Sequence, residues 1–230
     1  MKTIGLIGGM SWESTVEYYR IINQEVSRRL GGLHSGKILM YSVDFGEVES
    51  LMRDGRWDEI GGHVAGIART LETGGADLVL LCTNTVHKIA DRIESAIRVP
   101  FIHIADAAGE EIVGNGMSTV GLLGTRYTME EDFYKKRLAE KFGLSVLIPP
   151  DEKRGVINDV IFNELCKGVV KPTSKNEFKA VIDELIVRGA QGIILGCTEI
   201  PMLIGDEDSS VPLFDTTKIH ALRAVDYALS

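Results

Sequence analysis

The sequence predicts an α/β protein made of two pseudo-symmetric parallel-sheet units, with the active site in the cleft between them. Three observations carry that expectation. Short apolar runs alternate with helix-length amphipathic stretches, the pattern of parallel strands covered by helices. The chain also repeats itself: Gly75–Thr83 aligns without a gap on Gly189–Cys197, so that Leu81 falls on Leu195 and Thr83 on Cys197. Finally, Ile4–Gly9 is echoed by Val120–Thr125 and Val99–His103 by Val211–Asp215. The pairs Gly5/Gly121, Thr83/Cys197 and Pro100/Pro212 lie 116, 114 and 112 residues apart. Offsets so nearly constant, in one order, indicate a duplicated unit; a solenoid would have a several-fold shorter period.

Each element follows from its local pattern. Ile4–Ile7 is a short apolar run closed by Gly8–Gly9, as expected of a buried parallel strand. Ser11 or Ser14 can cap the next helix, Ser14 and Glu17 having capping-box spacing, and Val16, Tyr19, Asn23, Val26 and Leu30 trace its expected inner stripe. Residues 37–45 form the next strand. Helices at 57–74 and 86–96 flank a strand at 78–82. The second half restarts with a strand at 119–123, a helix at 128–142 and a strand at 144–148. Pro149–Pro150 then precedes helices at 153–167 and 174–188, strands at 192–196 and 211–214, and a last helix at 217–229. The expected division is residues 1–100 with the C-terminal helix 216–230 as the first unit, and 101–215 as the second.

Bulk composition narrows the function. A formal charge of −8 over 230 residues argues against nucleic acid or an anionic membrane as partner. No apolar run is long enough to span a bilayer, and Lys2 followed by a glycine-broken strand does not read as a signal peptide. Cys82, Cys166 and Cys197 are too few and too scattered for a disulfide framework or a zinc site. A reduced, cytoplasmic protein is expected.

The chemistry should sit beyond the carboxyl ends of the strands. Gly8–Ser11, Thr83–Thr85, Thr125–Thr128 and Cys197–Glu199 all fall there. Singly, such serines and threonines are ordinary helix caps; four such ends in a duplicated fold point to a binding site for a carboxylate. Cys197 follows Ile193–Gly196, and its thiol is the best-suited side chain there to give and take a proton near neutral pH. Thr83 occupies the equivalent place with a hydroxyl, which rarely ionises but can relay a hydrogen bond. Alternation along the strand turns Cys82 towards the packed helices instead. Gly5–Met10 lacks the spacing of a dinucleotide-binding turn. His87 and His103 have no partners at metal spacing, and neither a metal nor a cofactor is expected.

Gly8–Gly9–Met10–Ser11, Asn84–Thr85, Gly124–Thr125 with Thr128, and Gly196–Cys197–Thr198–Glu199 resemble the aspartate/glutamate racemase family over essentially the whole chain. Residues 9–15 resemble its enterobacterial L-aspartate/glutamate-specific or broad-specificity subgroup. The resemblance implies racemisation of acidic amino acids without a pyridoxal cofactor by a homodimer, with one residue on each side of the substrate Cα. Its first motif usually reads Cys-Asn-Thr and here reads Thr83–Asn84–Thr85, so an asymmetric enzyme is expected, with Cys197 as base for the L-amino acid. The implied substrate-binding residues are Met10, Asn84, Thr85, Thr125, Thr128, Thr198 and Glu199. A basic residue should receive the side-chain carboxylate: Arg53, Arg126 and Lys167 are the candidates, with Arg53 counted among the substrate-binding residues. A non-catalytic amino-acid-binding protein, or an isomerase or decarboxylase of a dicarboxylic acid, would also suit one thiol in such a cleft.

Overall fold

The computed structural model describes residues 1–230, which divide into two units: Met1–Ile104 with His220–Ser230, and Ala105–Ile219. In the first, β1 (Ile4–Gly8) is buried at every position, as an apolar run covered on both faces should be. Gly9 turns the chain with φ 92°, where an L side chain would be strained and would also meet the backbone of Val43. Helix α1 (Trp12–Leu30) is capped by Ser11, whose side chain accepts the Ser14 N–H at 3.5 Å. Thr15 Oγ1 accepts the Gly9 N–H at 2.8 Å and donates to the Ser11 carbonyl at 2.7 Å.

Those bonds fix the phase of α1 and correct the expected stripe. Ser14, Thr15, Tyr18, Ile22 and Val26 face inward, while Val16, Tyr19 and Leu30 are exposed. Of the apolar positions in the expected stripe, Val26 alone faces inward. The next strand is also shorter than expected. β2 (Ile38–Ser42) stops because Asp44 accepts the Gly46 N–H at 2.9 Å and starts α2 (Phe45–Arg53), a helix the apolar pattern did not suggest. Helix α3 (Trp57–Thr73) leads to β3 (Leu78–Leu81), buried throughout. The helix expected at 86–96 is a 3₁₀ turn, Thr85–Ile89, continued by the short α4 (Ala90–Glu94). β4 (Phe101–Ile102) completes a parallel sheet of order β2-β1-β3-β4.

The second unit contains all but the first residue of α5 (Ile104–Gly114), followed by β5 (Thr119–Gly124). The single helix expected at 128–142 breaks at Glu131, an extended residue between α6 (Arg126–Glu130) and α7 (Asp132–Phe142). After β6 (Ser145–Leu147) come α8 (Asp151–Asn163), which starts directly after Pro150, and α9 (Pro172–Val187), with Pro172 in its first turn. β7 (Ile193–Gly196), β8 (Leu213–Asp215) and α10 (Thr216–Leu229) follow. This sheet is parallel with order β6-β5-β7-β8, the order of the first sheet repeated strand for strand.

From His220 onward α10 belongs to the first unit. Ala221, Ala224, Val225 and Ala228 join Ile4, Leu6, Leu78 and Leu80 from the strands and Tyr18, Ile22 and Val26 from α1 in one core. Cys82 is part of that core, and burial pushes its thiol far above the ordinary range. His220 is buried there too. Its Nε2–H donates to the Ile102 carbonyl at 2.7 Å, so Nδ1 is left to accept the Tyr18 hydroxyl at 2.8 Å. Burial lowers this imidazole to about 4, partly opposed by the bond to Ile102.

A histidine held below its unfolded value keeps its stabilising contribution above about pH 6.5 and loses it as pH falls towards 4. Urea unfolding at pH 7.5 and pH 5 should therefore show a loss of about 2 kcal/mol at pH 5 through this residue. His220→Asn should remove that part of the acid dependence. An unchanged acid slope in the variant would place its origin elsewhere.

Candidate active site

Both strand orders reverse direction between their two central strands, and in such sheets ligands bind beyond the carboxyl ends at that point, here those of β1 and β3, and of β5 and β7. In the first unit Ile7 pairs with Leu81, and the Cys82 N–H continues the ladder to the Ile7 carbonyl at 2.9 Å. Beyond that point lie Met10 and Ser11 on one strand end and Thr83, Asn84 and Thr85 on its neighbour. All five are buried, with Thr83 7% exposed. The Thr83 N–H turns back to the Leu81 carbonyl at 2.9 Å, ending the strand and aiming the chain into the 3₁₀ turn.

In the second unit the central strands meet at Gly124 and Gly196. A Cβ on Gly124 would lie 2.8 Å from the Gly196 carbonyl oxygen, and one on Gly196 would lie 2.8 Å from the Leu123 carbonyl oxygen. Thr128 packs against the same two positions, 3.2 Å and 3.4 Å from the built atoms. The glycines thus let Thr125, Thr128 and Cys197 converge on two adjoining strand ends. Thr125 caps α6, its Oγ1 accepting the Thr128 N–H at 3.3 Å, and the two hydroxyls are 3.3 Å apart.

Cys197, Thr198 and Glu199 form the most distinctive group. Cys197 Sγ donates to Glu199 Oε2 at 2.8 Å, and the Thr198 hydroxyl donates to the same oxygen at 3.0 Å. All three residues are buried, with Cys197 7% and Glu199 2% exposed. Burial first, and then the Glu199 charge, push the Cys197 thiol well above its ordinary value. The resting pair is therefore a thiol hydrogen-bonded to a carboxylate. The Ile200 N–H closes the turn on the Cys197 carbonyl at 3.1 Å.

Arg53, in the last turn of α2, has a side chain 68% exposed and 3.7 Å from Glu49. Arg126 is paired with Glu130 at 2.7 Å and Asp151 at 3.1 Å, and Lys167 is exposed. Three supports escaped the sequence reading. Thr15 ties the Gly8–Gly9 turn, His87 bonds the Thr83 carbonyl at 2.6 Å, and Thr216 Oγ1 donates to the Leu195 carbonyl at 2.8 Å beside Cys197. Thr216 was within reach of sequence, since it follows the strand end at Asp215. The other two depend on turns whose geometry the pattern did not specify. No group of three or more His, Cys, Asp or Glu side chains is arranged to hold a metal ion.

The family model described as Asp/Glu/Hydantoin racemase matches residues 7–224. Over 99% of this chain and 98% of its own length, the broad specificity amino-acid racemase RacX of Bacillus subtilis (strain 168) is 24% identical. A crystal structure of a candidate Asp/Glu racemase from Yersinia pestis superposes with a TM-score of 0.94 at 52% identity, covering 100% of both chains. An aspartate racemase homologue from Pyrococcus horikoshii OT3 gives 0.85 at 36% identity, again over 100% of both chains.

The three thiols should differ in reactivity. At pH 8, iodoacetamide followed by peptide mapping should find the half-buried Cys166 modified first and Cys197 at least ~10-fold slower, because little of it is thiolate. Cys82 should stay unmodified until the protein unfolds. Modification of Cys197 as fast as Cys166 would contradict a buried, protonated thiol.

Proposed function

The chain belongs to the Asp/Glu/Hydantoin racemase family and is an amino-acid racemase, and we propose that its substrates are acidic, with L-aspartate and L-glutamate favoured. Cys197 is the base for the L-enantiomer and Thr83 stands where the opposite face of Cα is served. The observation that carries this reading is the buried Cys197–Glu199 pair at the strand end that the internal repeat equates with Thr83.

The proton account follows from the resting thiol. A thiol cannot accept a proton, so Glu199 first takes the Cys197 proton as the substrate's ammonium group brings in compensating positive charge. The thiolate then removes the Cα proton: the C–H bond breaks, S–H forms, and the electron pair spreads into the α-carboxylate. Hydroxyl and backbone donors around Asn84, Thr85, Thr125, Thr128 and Thr198 stabilise that charge better than mobile water would. Return of a proton from Thr83, or from a water it holds, inverts the centre; return from Cys197 restores the starting enantiomer. After return from Cys197, Glu199 gives its proton back to the thiolate. After inversion Cys197 keeps the substrate's proton, Glu199 releases its own to solvent, and the alkoxide or hydroxide left at Thr83 takes one from solvent. No step in this sequence requires a cofactor. We place the enzyme as a homodimer in the cytoplasm, where three free thiols suit a reducing environment; light scattering after size exclusion tests the dimer.

The deciding experiment is proton NMR of L-Asp and L-Glu with the protein in deuterium oxide, beside chiral chromatography. Loss of the α-proton signal with the D-isomer appearing is expected. Saturable binding without exchange would replace the racemase by a binding protein, and a change of covalent formula would indicate an isomerase or decarboxylase. Cys197→Ser should cut exchange into the L-isomer by about 10²–10⁴-fold. Thr83→Cys should raise turnover from the D-isomer on the order of 10-fold or more; an unchanged ratio of the two directions would remove the asymmetry from the proposal.

A further inference from the structure

We infer that His87 is a positioning residue for Thr83, acting on one direction of the proposed reaction through a single tautomer set by two backbone groups. The inference rests on the proposed pairing of Thr83 with one face of Cα. His87 is 2% exposed, and its two ring nitrogens meet opposite partners. The Ile104 N–H points at Nε2 from 3.2 Å, and an N–H can only donate, so Nε2 is the lone-pair nitrogen. The neutral ring then carries its proton on Nδ1, 2.6 Å from the Thr83 carbonyl oxygen, and donates to it. A cationic ring would set N–H against N–H at Ile104. The ring is held on its flanks by His103, with centroids 4.5 Å apart, and by Phe101 at 5.5 Å.

The Thr83 carbonyl needs that donor because of how the turn is built. Thr85–Ile89 is 3₁₀, so the His87 N–H goes to the Asn84 carbonyl at 3.1 Å and not to Thr83. The imidazole supplies from its side chain what an α-helical turn would have supplied from the backbone. With its carbonyl pinned, the Thr83–Asn84 peptide has one orientation, and so do the Thr83 hydroxyl before it and the Asn84 N–H within it.

The duplicated half lacks this device. The repeat that places Thr83 on Cys197 places His87 on Pro201, whose ring has no group to donate. There the Cys197 carbonyl is taken by the Ile200 N–H at 3.1 Å. Loss of His87 should therefore disturb the Thr83 side while leaving the Cys197–Glu199 pair intact, which a general loss of stability would not do.

Two variants separate the two bonds. His87→Asn places an amide N–H near the position of Nδ1 and can still donate to Thr83; His87→Gln reaches the position of Nε2 and keeps a partner for Ile104 only. In deuterium oxide with L-glutamate, two quantities are read: deuterium entering recovered L-glutamate, and D-glutamate formed. His87→Gln should lower D-glutamate formation about 10-fold or more while deuterium entry into L-glutamate changes little, and His87→Asn should restore most of the loss. Thermal melts of both variants record any shared loss of stability. An equal fall of both quantities in both variants, or no change in either, would overturn the inference while the wild-type exchange upholds the proposed function. A wild-type protein without exchange would remove the proposed function and this inference together.

Discussion

The hydrogen bond from Cys197 Sγ to Glu199 Oε2 lies where water scarcely reaches, and the surrounding elements are arranged to keep it there. Two unit charges 4 Å apart near a protein surface repel by about 4 kcal/mol, and more where burial deepens. A thiolate there is therefore disfavoured at rest, and Cys197 keeps its proton. The Thr198 hydroxyl bonds the same Oε2, so two donors meet on one carboxyl oxygen. The glycines at 124 and 196 belong to this arrangement. Any side chain there would push the two strands apart at the point where they deliver Cys197 and Thr125.

The two units share a strand order and differ in chemistry. In each, the residue beyond the third strand of its unit begins a tight turn, and each must satisfy a buried carbonyl at that point. The second unit does so with the Ile200 backbone N–H, which leaves the Cys197 side chain to its carboxylate partner. The first does so with His87, whose other nitrogen is occupied by Ile104. Duplication preserved the framework because a parallel sheet tolerates little change in its buried strands. The turns after those strands are buried as well, and there the halves differ in sequence. The asymmetry proposed for the reaction thus has a counterpart in backbone support as well as in the exchange of a thiol for a hydroxyl.

Sequence showed the strands well because a buried parallel strand is nearly continuous in apolar residues: Ile4–Gly8 and Leu78–Leu81 are buried at every position. It also showed the repeat, since three strand ends recur at nearly constant spacing. Helical phase was harder. In α1 an apolar stripe through Val16 and Tyr19 is as regular as the true one through Tyr18 and Ile22, and the choice is made by Thr15 bonding back to Gly9 and Ser11. The start of α2 depends on Asp44 acting as a cap within a run that otherwise reads as a strand. Cys197, Thr198 and Glu199 were visible as neighbours in the chain. The contact of His87 with Ile104 was not, because it joins residues 17 apart through a turn type that periodicity does not specify.

An acidic substrate approaching this chain meets a protein of net charge −8, and the cations nearest in sequence to the strand ends are already engaged. Arg126 follows Thr125 directly, yet its guanidinium is taken by Glu130 and Asp151, and Arg154 shares both carboxylates. Arg53 extends into solvent beside Glu49. On the proposed reading, recognition of the α-carboxylate then falls to hydroxyls and backbone N–H groups, which bind it less strongly than a guanidinium fork would. The same arrangement has a chemical advantage. A fixed arginine beside Cys197 would lower its thiol permanently and leave a reactive thiolate without substrate. Neutral donors leave the thiol protonated until the substrate's own ammonium arrives, so the positive charge that favours the thiolate enters with the molecule to be deprotonated. Weak carboxylate binding and a dormant thiol are then two consequences of one choice: neutral donors in the proposed site.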